Sequence, residues 1–163
     1  MTRQLSELEI ILQQLVVEHR KLLAYLERHE SAMKKFDLPG MDDAAHQQEA
    51  ARLRIAMLEG RRKAVVLQLA KLTRLEGELT IRKLAELHPP RAEELMRLRT
   101  ELKSLMEGIS ARTRIAGKIA GAVLGHLNTV VRLLAGAVEK AGLYTKNGIP
   151  QVSTRIGMME AVG

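Results

Sequence analysis

The sequence predicts an all-α protein: an elongated antiparallel helical bundle or coiled coil of three long helices plus one short helix, ending in a flexible C-terminal tail. Three observations carry that expectation. Apolar residues recur at alternating steps of three and four through three long stretches, the period of a helix that buries one stripe. Leu, Ala, Glu, Lys and Arg dominate the 163 residues, while aromatics amount to 2%, namely Tyr25, Phe36 and Tyr144; such a composition favours long helices over sheet. Proline and glycine cluster at a few points that divide the periodic stretches.

The first helix is expected over residues 4–36. Leu5, Leu8, Leu12, Leu15, His19 and Leu22 keep the spacing, and Leu26, His29, Met33 and Phe36 continue it. Ile11 and Val16 widen the stripe to the face of a bundle helix. His19 and His29 fall in the seam, about 15 Å apart along the axis, so one ion cannot bridge them. Leu38-Pro39-Gly40 then reads as a break, with Asp42 or Asp43 as the N-cap of a second helix over 43–75. A break this short makes the two helices antiparallel neighbours. Ala51, Ile55, Leu58, Arg62, Val65, Leu69 and Leu72 form the seam of the second helix, and Gly60 weakens it locally. The basic run Arg61-Arg62-Lys63 reads as a solvated face. Thr80 is expected to cap a short helix over 81–87 that turns Ile81, Leu84 and Leu87 inward. His88-Pro89-Pro90 ends it, and Pro90 suits the start of the last helix, over 91–138, with Glu93 and Glu94 in the first turn. Residues 1–141 are expected to form one bundle domain, and 142–163 a mobile tail.

The last helix divides near Ala111. Its front half is charged and Leu-rich, with the stripe Leu95, Leu98, Leu102, Leu105 and Ile109, which runs on through Ala116, Ile119, Val123, Val130 and Leu133. In the back half a second stripe begins beside it: Ala120, Leu124, Leu127, Val131, Leu134 and Val138. One stripe suffices to join a bundle, so the second implies another surface to cover. Gly117, Gly121 and Gly125 stand at four-residue spacing, so another helix backbone can come close. Each costs about 0.5–1 kcal/mol of helix stability relative to Ala. Tyr144 lies just beyond, on the tail.

Other function classes find little support. The chain suits one domain rather than two. It has no cysteine, hence no disulfide framework, thiolate metal site or thiol nucleophile. Glu7 and Glu9 interrupt any signal-peptide core, and the uncharged run Ile119 to Val131 is too short to span a bilayer. The net charge of +7 is spread among acidic residues with almost no aromatics to stack on bases, which reads as a solvated surface and no nucleic-acid partner. No phosphate-binding motif and no Glu-x-x-His pair is present, so no enzyme activity, cofactor or metal is expected.

The order of these parts resembles the FlgN-like flagellar export chaperones. Leu5-Ser6-Glu7-Leu8 through Leu26 carries the likeness in the first helix, and Leu79-Thr80-Ile81-Arg82-Lys83-Leu84-Ala85 and Arg91-Ala92-Glu93-Glu94-Leu95 in the middle. Leu127-Asn128-Thr129-Val130-Val131-Arg132-Leu133-Leu134 and Tyr144-Thr145-Lys146-Asn147-Gly148 carry it at the end. The likeness implies a cytoplasmic, non-enzymatic chaperone of type III secretion without cofactors. It would bind and shield a terminal helical segment of a hook-associated (hook–filament junction) protein and deliver it to the flagellar export gate. On that reading the client lies on Ala120, Leu124, Leu127, Val131, Leu134 and Val138, and Tyr144 meets the gate. The alternative is a structural coiled-coil protein that uses the second stripe to self-associate, without a client.

Overall fold

The computed structural model describes residues 2–73 and 79–140, with side chains to residue 137. Helix α1 spans Thr2–Lys35, α2 Leu38–Thr73, α3 Ile81–Leu87 and α4 Pro89–Lys140, and there is no strand among the described residues. Two compact units are distinguished, Met1–Ile119 and Ala120–Gly163.

The first unit is built on α1. Its predicted seam is buried from Leu5 to Leu26, and Ile11 and Val16 are buried with it. Leu8, Ile11, Leu12 and Leu15 join Leu69 of α2, Leu84 of α3, and Leu95 and Leu98 of α4 in one core, all at most 1% exposed. Each such side chain contributes about 1.5–3 kcal/mol relative to an exposed one. A smaller cluster of Leu22, Leu26 and Ala51 continues the packing of α1 on α2.

The polar contacts fix the directions of the helices. Arg54 bonds Glu18 and Gln48 bonds His29, so α2 descends as α1 rises. Against α4 the order is reversed: Glu9 meets Arg91, Gln13 meets Glu94, Arg20 meets Glu101, and Glu30 meets Arg112. Those four contacts keep a nearly constant separation of 81 or 82 residues, so α4 runs parallel to α1 in one register.

The seam histidines are satisfied locally. His19 Nδ1 donates to the Leu15 carbonyl at 2.7 Å, and His29 Nδ1 accepts from Gln48 Nε2 at 3.0 Å. Gln48 and Ala44 are buried, so the seam of α2 begins earlier than Ala51. At its other end Leu72, expected inside, is exposed. The antiparallel pairing of α2 with α1 matches it to the first residues of α1, where little chain remains to cover it.

The first turn also differs from the expectation. Helix α1 stops at Lys35, and Phe36, expected as its last seam position, is exposed with φ of 55°. The Asp37 amide donates to Ala32 O and the Phe36 amide to Met33 O, the paired bonds that close a helix through a left-handed residue. Asp37 then starts α2: its Oδ1 accepts from the Gly40 amide at 3.1 Å and its carbonyl from Met41. Leu38-Pro39-Gly40 is thus the first turn of α2, not a break, and neither Asp42 nor Asp43 is the cap. Proline is tolerated there because first-turn amides have no helical acceptor. Gly40 suits this turn because a Cβ would sit 2.3 Å from Asp37 Oδ2, so the Asp37 carboxylate would have to shift.

Helix α3 follows its sequence signals. Thr80, extended at φ −94° and ψ 159°, accepts from the Lys83 amide, and the His88 amide closes the other end on Leu84 and Ala85 carbonyls. Leu84 and Ala85 are buried and Ile81 is partly buried, whereas Leu87, expected inside, is exposed. Both Pro89 and Pro90 lie within α4, whose first turn holds no acidic residue. Glu93 and Glu94 fall one turn later, because the helix starts before Pro90.

Phe36→Gly is expected to raise stability by about 1 kcal/mol, since glycine takes the left-handed conformation without the steric cost. Gly40→Ala should lower it by up to about 1 kcal/mol, because the Asp37 cap must move aside. Thermal unfolding followed by circular dichroism checks both.

Candidate functional site

The candidate surface follows from how far the cover on α4 extends. Within the first unit, Leu95 and Leu98 are sealed by the core, and Leu102, Leu105 and Ile109 are partly buried at its margin. Helix α1 has 34 residues, and the register with α4 sets its last residue, Lys35, near Gly117. The pairing that covers the first stripe ends there.

In the second unit the predicted residues share one helix face and are bare. Ala120 is exposed, and Leu124, Leu127, Val131 and Leu134 are each 53–63% exposed. Val138 lies in α4 with its side chain outside the described part, and Tyr144 lies outside the described residues. Two further residues, Val130 and Leu133, are exposed as well, although their stripe was expected to be spent on the bundle. The signal that finds them is the shortness of the first helix relative to the last. At about 100° per residue the two stripes adjoin, so the apolar arc covers roughly half of the circumference.

Within the first unit, Leu84 and Ala85 of α3 belong to the core. Nothing among the described residues approaches the glycines: a Cβ at Gly117, Gly121, Gly125 or Gly136 would meet no atom within 4 Å. The expected close helix approach is not made by the described residues. By length and composition α4 also holds an 18-residue window apolar enough to cross a membrane, longer than the uncharged run Ile119 to Val131.

Electrostatics separate the two parts of α4. Up to Glu107 its charges are paired densely. Glu94 bonds Arg97 at 2.7 Å and Gln13 at 3.3 Å; these bonds, led by Arg97, lower its carboxyl to about 2. Glu30 of α1 is held low by Lys34 first and Arg112 second, at 2.5 and 2.9 Å. At Glu18 burial raises the pKa, but bonds from Lys21 and Arg54 outweigh it and the net shift is downward. Between Glu107 and Glu139 the sequence has no carboxylate, only Arg112, Arg114, Lys118 and Arg132 among charged residues. Among the described residues no group of three His, Cys, Asp or Glu is placed to hold a metal ion.

The described residues thus form a helical scaffold whose last helix carries a bare apolar face. The comparison with known families makes this specific: the FlgN protein family matches residues 1–151, and the chain belongs to that family. FlgN proteins are chaperones of flagellar type III export that bind flagellar proteins, and they are in general soluble and cytoplasmic. Neither the curated proteins nor the solved structures gave a match.

The lowered carboxyls give a pH dependence. A carboxyl whose pKa falls on folding stabilises the fold above its unfolded pKa, near 4.5, and that contribution is lost as pH falls toward the folded value. The melting temperature should therefore be flat from pH 7 to about 5 and decline from about 4.5 toward 2. In Glu94→Gln this decline should be shallower, as read by melts across the range.

Proposed function

We propose that this chain is a cytoplasmic export chaperone that binds a terminal helical segment of a hook-associated protein and shields it from premature assembly. It would then bring that segment to the flagellar type III export gate. The single observation that supports this most is the bare arc of α4, because isolated apolar stripes of this breadth normally mark a partner surface. An amphipathic client helix would lie along Ala120, Leu124, Leu127, Val131 and Leu134, and Val138 extends the same row. Helix-in-groove recognition of this kind reads anchors at helical spacing. An ordinary interface of about 800 Å² per partner would need several of these side chains at once. Tyr144, just past the helix, offers an aromatic ring for contact with the gate. Binding and release of a helix need no nucleotide, metal or cofactor from the chaperone.

Leu127→Asp or Val131→Asp should weaken co-purification with a hook-associated client at least about tenfold while far-ultraviolet circular dichroism stays helical, since each is exposed and its loss leaves the core intact. Wild-type binding by both variants would place the interface elsewhere. A concentration-independent oligomer in light scattering, unchanged by client, would instead favour self-association through the same face.

A further inference from the structure

The flank of α4 turned from the ion-pair ladder differs from the flank that carries it. On the ladder side, arginines are matched: Arg91 with Glu9, Arg97 with Glu94 and Glu101, Arg112 with Glu27 and Glu30. The other flank looks across a groove toward α2. Two adjoining cavities of about 840 and 340 Å³ form it, joined through His19, Ile55, Met106 and Ser110. Leu12, Ile55, Ile81, Leu102 and Met106 give it an apolar lining within the first unit.

Its rim is basic. Arg52, Arg62, Arg99, Lys103 and Arg114 line the two cavities, against only Glu59 and Glu107. Glu59 is already held by Arg62 at 2.8 Å, and Glu107 is 3.9 Å from Lys103. Arg52, Arg99 and Arg114 have no carboxylate partner among the described residues. Three unmatched guanidiniums beside an apolar lining are suited to carboxylates on an apolar helix. The distance from Arg99 to Arg114 along α4 is about 22 Å, the length of four helical turns. The lining residues include no Phe, Tyr or Trp, and His19 is buried, so the groove lacks the exposed stacking platforms that bases would need.

We propose that this groove is a second helix-binding site, separate from the bare arc of α4, and that it takes an acidic amphipathic helix. The apolar side chains of that helix would rest on Ile55, Leu102 and Met106, and its carboxylates would pair with Arg52, Arg99 and Arg114. The assignment rests on the groove alone and stands whether or not the arc of α4 binds a client.

The test uses the full chain and two designed helical peptides of about 16 residues. Both carry leucines at alternating three- and four-residue spacing; one has glutamates beside them and the other lysines. Fluorescence anisotropy at about 50 mM salt should show the glutamate peptide binding at least about tenfold more tightly than the lysine peptide, with the difference shrinking as salt rises. The double variant Arg99→Glu with Arg114→Glu should reverse the preference, and circular dichroism will show whether it remains helical. Arg99→Gln with Arg114→Gln should weaken the glutamate peptide without the repulsion, which keeps the result readable if the reversal disturbs folding. In the Leu127→Asp background, which removes the arc of α4 as a competing site, the preference for the glutamate peptide should persist. Equal binding of the two peptides, insensitivity to the arginine variants, or loss of the preference in the Leu127→Asp background would overturn the proposal. So would displacement of the glutamate peptide by a single-stranded oligonucleotide, which would assign the basic rim to nucleic acid.

Discussion

The length of α1 relative to α4 is the constraint on which the rest depends. The two run parallel in one register, and α1 has 34 residues where α4 has 52. A helix can bury its stripe only while a neighbour accompanies it. The stripe of α4 is sealed at Leu95 and Leu98 and partly covered at Leu102, Leu105 and Ile109; from Leu124 to Leu134 the same apolar period continues with exposed side chains. Nothing in the spacing of leucines changes at the boundary. What changes is the availability of a partner.

Register is held by leucine burial and polar contacts together. The core supplies most of the energy, since Leu8, Leu12, Leu15, Leu95 and Leu98 are sealed from water. In the ladder of Glu9, Gln13, Arg20 and Glu30 with α4 the two exposed rungs, Gln13 and Arg20, add little energy, whereas Glu9 and Glu30 are part-buried; a slip of one turn would break every rung. Its rungs all lie on one flank of α4. The opposite flank keeps its arginines unmatched, so the fold sorts a charge excess that looks dispersed in sequence onto one side of a groove.

Much of the scaffold was legible in sequence, and the failures have physical causes. The seam of α1 from Leu5 to Leu26, the Thr80 cap and the bounds of α3 are local signals, and the structure follows them. Leu38-Pro39-Gly40 misled because proline and glycine mark a break only inside a helix, whereas the first turn accepts both. Phe36 gave no warning of its left-handed conformation, since only its place after Lys35 demands it. Leu72 and Leu133 were misassigned for one reason: periodicity states which face is apolar, not whether another helix reaches it. The second stripe of α4 was readable as a surplus, and the family match bears out the resemblance carried by the order of the helices. The basic groove was not readable, because Arg52, Arg99 and Arg114 come together only through tertiary packing.

Under the proposed function, the exposed apolar face of α4 from Ala120 onward is covered only when a client binds. Hydrogen–deuterium exchange of the full chain, alone and with the terminal segment of a hook-associated protein, tests it most directly. The account predicts slow exchange for the core of α1 in both states. Amides of 120–137 should exchange quickly in the free chain and become protected when the client segment is added. Protection of 120–137 in the free chain at every concentration, or no change on adding a segment that binds, would contradict it.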